Sequence, residues 1–318
     1  MRFFALLLIW AAGALAQAPG TRVLLDAHNC YPEGGQWTQR IERALSTGTP
    51  LAVEQDLFWY RDPKTGAGKS VVSHGDHVSG NEPSLREHFF ERVRPIVEKA
   101  LAADRRDDWP IIVLNLDFKT NEPEHHAEIW NLLGEYEGWL TTAERVEDEG
   151  TPQPLQWKPI LVLTGSSDAQ KAAFHDKVPV GGRLRVFGAV HVAEGATWKT
   201  PPEAMMKERA TNYRRWWNNP WSVVEEGGQK AAGEWTRDEE QRLRALVKHA
   251  HQNRLWIRFY TLNGHSPLTG KKMGFRPGYN FGSLDKVMER WRAAIEAGVD
   301  FVATDMYEEF ARLPRTQE

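Results

Sequence analysis

Alternation of strand-like and helix-like segments runs along almost the whole chain and constrains its fold more than any other feature. Residues 23–27 (VLLDA), 51–57 (LAVEQDL), 111–118 (IIVLNLDF), 160–164 (ILVLT), 185–190 (RVFGAV), 255–261 (LWIRFYT) and 301–304 (FVAT) are short runs of strand type. Helical stretches lie between them. At 36–47, Ile41 and Leu45 stand four apart and Gly48 is the stop; others span 84–103, 123–140, 238–251 and 284–297, the last ending at Gly298, with a shorter one near 168–174. Such repeated alternation implies a parallel sheet. Seven strands are clear, and the Trp-dense stretch 213–224 is the place for an eighth. Eight strands close a (β/α)8 TIM barrel in a single domain, with its chemistry at the C-terminal ends of the strands. An open doubly wound sheet is the alternative, but the Gly-rich nucleotide fingerprints are missing from the sequence. Segments 62–83 and 264–282, rich in Gly, Pro, Asn and His, read as functional loops, as do 144–156 and 193–202.

Composition narrows the function. The 318 residues are 41% hydrophobic and 26% charged, too apolar for a disordered chain. Lys plus Arg, 40, against Asp plus Glu, 43, leaves a net charge of −3, so no nucleic-acid partner held by bulk positive charge is expected. One cysteine, Cys30, excludes an internal disulfide and a Cys-built zinc site; it reads as a small buried residue. The chain opens with Met1-Arg2, then an apolar run over 3–16 that ends in Ala14-Leu15-Ala16. This pattern reads as a secretory signal peptide over 1–16, too short for the roughly 20 residues of a membrane span. The barrel domain then covers 17–318 and acts in a periplasm or outside the cell, with no transmembrane segment.

Polar residues at the strand ends carry the chemistry. Glu54 and Asp56 share one face of the second strand; Asn115, Asp117 and Lys119 share one face of the third. In a closed barrel one strand face is covered by helices, so these groups face the interior. Three carboxylates converging there are costly unless a cation joins them. Glu54, Asp56 and Asp117 therefore form an all-oxygen site for one divalent cation, Mg²⁺ or Ca²⁺. His28 ends the first strand and His74 follows the second, led in by Val71-Val72, which favours it over His77. Two imidazoles flanking a metal-bound phosphate suit opposite proton transfers, and Lys119 suits the phosphoryl oxygens.

The ordered pattern His28-Asn29, Glu54-x-Asp56, His74 and Asp117-x-Lys119 resembles the PLC-like phosphodiesterase superfamily, which includes glycerophosphodiester phosphodiesterases, phosphatidylinositol-specific phospholipases C and the sphingomyelinase D type. The likeness runs over about residues 23–120, with weaker echoes at 258–263 (RFYTLN) and at Thr304-Asp305. It implies a TIM barrel, a divalent metal on Glu54, Asp56 and Asp117, a His28/His74 acid–base pair and a phosphate contact from Lys119. The D-x-K of the third strand is similar to the sphingomyelinase D pattern. Glycerophosphodiesterases usually follow the first His with Arg-Gly and then Pro-Glu-Asn-Thr, where this chain has Asn29-Cys30-Tyr31-Pro32-Glu33-Gly34. Asn cannot replace the charge of that Arg. Asn29 instead offers a carbonyl oxygen to the metal or a substrate contact. Arg258, on one strand face with Tyr260, either supplies the phosphate charge or pairs with a neighbouring strand acid.

The resulting expectation is a secreted, metal-dependent phosphoric diester hydrolase. Its substrate is a small molecule or a lipid, either a phospholipid head group or a glycerophosphodiester; a membrane lipid would bring peripheral membrane contact. A secreted glycoside hydrolase with two carboxylates and a non-catalytic head-group-binding barrel are the alternatives. The cluster Trp216-Trp217-Asn218-Asn219-Pro220-Trp221 suits either core packing or a ligand groove, Asn263 is a pocket candidate, and His125-His126 read as solvated.

Overall fold

The computed structural model describes residues 18–227, 233–272 and 280–314; the expected signal peptide over 1–16 lies outside them, as does part of the loop 264–282. Eleven strands are present among the described residues: β1 (Leu24–Ala27), β2 (Leu51–Arg61), β3 (Gly68–Val72), β4 (Ile112–Phe118), β5 (Ala143–Glu144), β6 (Ile160–Thr164), β7 (Arg183–Leu184), β8 (Phe187–Ala189), β9 (Arg214–Pro220), β10 (Trp256–Tyr260) and β11 (Phe301–Thr304). Eight of them run parallel in the order β1-β2-β4-β6-β8-β9-β10-β11, and β11 pairs back onto β1 to close the cylinder. The chain is a single-domain (β/α)8 TIM barrel. The eighth strand is β9, in the Trp-dense stretch.

Period-two alternation sorts the barrel interior by height. Leu24, Ala52, Val113, Leu161, Phe187, Trp216 and Phe301 pack as an apolar floor. Two residues further along their strands stand Asp26, Glu54, Asn115, Asn218 and Arg258. These polar and charged groups stand toward the C-terminal ends of their strands. Outward residues such as Leu25, Val53, Leu114, Val162, Trp217 and Ile257 pack under the helices in a second, larger core. Helix Arg237–Gln252 shows how the sequence builds that layer. Thr236 and Glu239 form a capping box, acids fill the first turn, and Leu243, Leu246, Val247 and Ala250 turn one apolar stripe inward. Trp216, Trp217 and Trp221 are all fully buried, so these three rings are core and do not line a groove.

Two loop expectations are corrected. Strand β2 continues to Arg61 and pairs antiparallel with β3, so part of 62–83 is a hairpin. Its turn is closed by Asp62 Oδ1, which accepts from the amides of Lys64 and Thr65. Gly68 is required there, since a Cβ would lie 2.3 Å from the Trp59 ring. Segment 264–282 contains the short helix Pro267–Lys272.

His125 and His126 are buried, not solvated. The N-terminal turn of helix Pro123–Glu135 docks on the hairpin, where His125 sits between Ser70 Oγ at 2.9 Å and Thr120 Oγ1 at 3.1 Å and stacks on Trp59. Burial, helped by His126, pushes His125 down to about 3; burial alone takes His88, bonded to Gln55, down to about 4. Below about pH 6.5 the unfolded chain gains a proton at each site and the folded chain does not. Stability present above about pH 6.5 is thus lost as pH falls toward those folded values. Near pH 5 each histidine is expected to contribute about 1.4 kcal/mol per pH unit to the slope. Urea unfolding of His125→Gln from pH 7 to 5 should show the slope reduced by one such increment. An unchanged slope would mean that His125 is already protonated in the fold.

Candidate metal and phosphate site

The parallel register sets the acids side by side. Glu54 pairs with Asn115 and Asp56 with Asp117 across β2 and β4. Glu54, Asp56 and Asp117 each bring one oxygen to within 4.8 Å of the others. Lys119, one turn of the pleat beyond Asp117, places Nζ 2.8 Å from Asp117 Oδ2 and 3.0 Å from Asp56 Oδ2. Arg258 reaches across from β10. Its guanidinium is paired with Asp26 and Glu54 and donates to Asn218 Oδ1 at 3.0 Å. The structure thus gives Arg258 the strand-acid partners that were one of its two expected roles.

Charge bookkeeping shows what this arrangement lacks. Asp26, Glu54, Asp56 and Asp117 face two permanent cations, Arg258 and Lys119. Asp56 Oδ1 is buried with no hydrogen-bond partner. Burial first, and then Asp117, push the Asp56 carboxyl well above the usual carboxylate range. Burial also pulls Glu54 upward, but His28, Arg258 and Lys119 outweigh it and hold Glu54 low. Four carboxyl groups against two permanent cations, a hard oxygen donor set and an orphaned carboxylate oxygen fit a divalent cation.

His28 is buried beside this group. Its Nδ1 lies 3.2 Å from Asp305 Oδ1 and its Nε2 3.7 Å from Glu54 Oε1. The ring stacks on Tyr260, and Tyr307 donates to the His28 carbonyl at 2.7 Å. Burial alone would lower the His28 pKa; Glu54 and the Asp305 hydrogen bond outweigh it and raise it. Asp305 is itself held below the usual range, because Arg40 and His28 overcome its burial.

Asn29 adopts a left-handed backbone, φ 51°, which swings its amide over Asp305 at 3.0 Å. Its side-chain oxygen accepts from Tyr31 Oη at 2.9 Å. Asn263 braces the other side: Nδ2 donates to Asp305 Oδ2 at 3.0 Å, and Oδ1 accepts the Asp305 amide at 2.7 Å. His74 stands on the rim just past β3, about 39% exposed, with Nδ1 3.2 Å from Asp76 and its ring stacked on Tyr31. Cys30 is buried, and burial pushes its thiol up to about 12, so it is inert.

The structure therefore gathers Glu54, Asp56, Asp117, Lys119, His28, Asn29 and Arg258 at one mouth, with His74 tied to it through Tyr31. Asp305 is the residue that sequence reasoning undervalued. Its only signal was an acid directly after the last barrel strand. A second acid–His group, Glu149, His175 and Asp176, lies elsewhere and already has the Lys171 ammonium between its carboxylates.

No protein-family model and no curated protein matches the chain. Among solved structures it is similar to a calcium-dependent phosphoinositol-specific phospholipase C from the Gram-negative bacterium Pseudomonas sp., in apo form with a myoinositol complex. The likeness covers 94% of each chain at 13% identity, with a TM-score of 0.51. That identity shows the fold alone: the chain shares the TIM-barrel fold of that phospholipase C.

Proposed function

We propose that the protein is a metal-dependent phosphoric diester hydrolase, exported by its amino-terminal segment to a periplasm or the medium. The observation that carries this reading is the orphaned, buried Asp56 oxygen between Glu54 and Asp117, beside a histidine backed by its own carboxylate. Glu54, Asp56 and Asp117 would hold the cation. When bound, it supplies charge neutralisation at the phosphoryl oxygens. Lys119 shares that task from the rim side.

His28 takes the proton from the attacking oxygen. Asp305 fixes its ring and stabilises the imidazolium that forms. His74, on the rim loop after β3, gives a proton to the leaving oxygen. Where the substrate has a hydroxyl next to the phosphate, that hydroxyl attacks and a cyclic phosphate results; otherwise water attacks. The solved neighbour is described as calcium-dependent and phosphoinositol-specific, which supports Ca²⁺ before Mg²⁺ and phosphatidylinositol as the first substrate. No helix among the described residues is long and apolar enough to cross a membrane, so a lipid substrate would be met from the membrane surface.

Phosphorus NMR of the protein with calcium and phosphatidylinositol, glycerophosphoinositol or sphingomyelin tests the reading. A new cyclic-phosphate or monoester resonance is expected with at least one of them, and none with a His28→Ala/His74→Ala double variant. Substrate signals that stay unchanged in all three would contradict it.

A further inference from the structure

We propose that Glu33 is a positioning residue for His74, and this rests on the phosphodiesterase reading above. Glu33 lies on the turn after β1, five residues beyond His28. Its carboxylate collects three donors from the loop after β3. Oε2 accepts from Ser73 Oγ at 2.9 Å and from the His74 amide at 2.9 Å; Oε1 accepts from the His77 amide at 2.9 Å. Ser73 is buried, donates its amide to the Asp56 carbonyl at 3.0 Å, and its Oγ accepts from the Gly75 amide at 3.1 Å. The His74 backbone is thereby anchored on both sides of its Cα.

That loop needs an external anchor. Gly75 sits at φ +103°, and a Cβ there would lie 2.7 Å from the Phe58 ring, so the chain must pass through a conformation that glycine alone tolerates. The His74 ring itself is exposed, and Asp76, its polar neighbour, is more exposed still. Hydrogen bonds to an ionised carboxylate are stronger than those between neutral groups. Three of them on one carboxylate, with the Tyr31 ring stacked on the imidazole, fix where His74 stands relative to the β1 turn that carries His28 and Asn29. Glu33 thus couples the two histidines by joining their loops directly.

The test uses the leaving group. An alkoxide needs the proton that His74 gives; p-nitrophenolate leaves without one. Phosphatidylinositol and the p-nitrophenyl diester of inositol phosphate share the attacking half and differ only there. Glu33→Ala is expected to lower kcat about 10²-fold on phosphatidylinositol, the effect of misplacing a catalytic group by about 1 Å, while the p-nitrophenyl diester stays within about threefold. KM and calcium affinity by calorimetry should not move. Glu33→Gln, which keeps the shape and part of the bonding, should show the same asymmetry at about tenfold. Equal losses on both substrates, or none on either, in an active protein would overturn the role of Glu33 and leave the phosphodiesterase reading standing. A wild-type protein inactive on both, and on the glycerophosphoinositol and sphingomyelin of the phosphorus NMR test, would overturn that reading and this one with it.

Discussion

Asp56→Asn is expected to lower calcium-dependent turnover by about 10³-fold while leaving the chelated protein at least as stable as wild type. The first effect follows from the donor set. Exchanging one carboxylate oxygen for an amide nitrogen removes a ligand charge. A cation's charge stabilisation at a phosphoryl group is worth several kcal/mol, and each 1.36 kcal/mol is tenfold in rate. The second effect follows from burial. Asp56 has no hydrogen bond to either oxygen, and Asp117 stands next to it, so its ionised form is held at a cost that the neutral amide avoids. Loss of the Lys119 contact opposes this gain only in part, because Lys119 keeps Asp117. Activity lost together with several kcal/mol of stability would instead mark Asp56 as a structural acid.

Arg258→Leu is expected to cost about 3–5 kcal/mol of unfolding free energy, the range for removing one partner of a buried ion pair. Arg258 is 2% exposed and serves both Asp26 and Glu54, each equally buried or nearly so. The hydrophobic replacement leaves Asp26 without its ion-pair partner and Glu54 with only His28 and Lys119 to offset its charge. Adding Asp26→Asn should return part of the loss, since the stranded acid is then neutral. Urea unfolding of the single and double variants measures both. A loss below about 1 kcal/mol in the single variant would show that Glu54 and Asp26 are solvated or protonated there, contrary to the geometry.

The carboxylate cluster was legible because two local rules act together: period two puts Glu54 with Asp56 and Asp117 with Lys119, and parallel pairing sets the two strands abreast. What stayed hidden depends on long-range contacts. β9 carries Arg214, Arg215, Asn218, Asn219 and Pro220, so its strand character comes from the closing barrel and not from an apolar run. Gly68 reads as a loop residue, yet it is there to let Trp59 pack across the hairpin. His125 looked solvated beside Glu124; its burial depends on Ser70, 55 residues away. Asp305 gained its meaning from His28, 277 residues away, and Glu33 from His74, 41 residues on. For Arg258 the sequence left two roles open, and only the positions of Asp26 and Glu54 in the closed barrel show which partners it has.

In the proposed reaction Glu54, Asp56 and Asp117 hold a divalent cation that phosphodiester cleavage requires. The most direct measurement is hydrolysis of bis-(p-nitrophenyl) phosphate by the chelator-treated protein, before and after Ca²⁺ or Mg²⁺ is restored, beside Asp56→Asn under the same conditions. The expected rate is one that chelation abolishes, that the cation restores in the wild type and that the variant does not recover. A rate indifferent to chelation, or restored equally in Asp56→Asn, would contradict it.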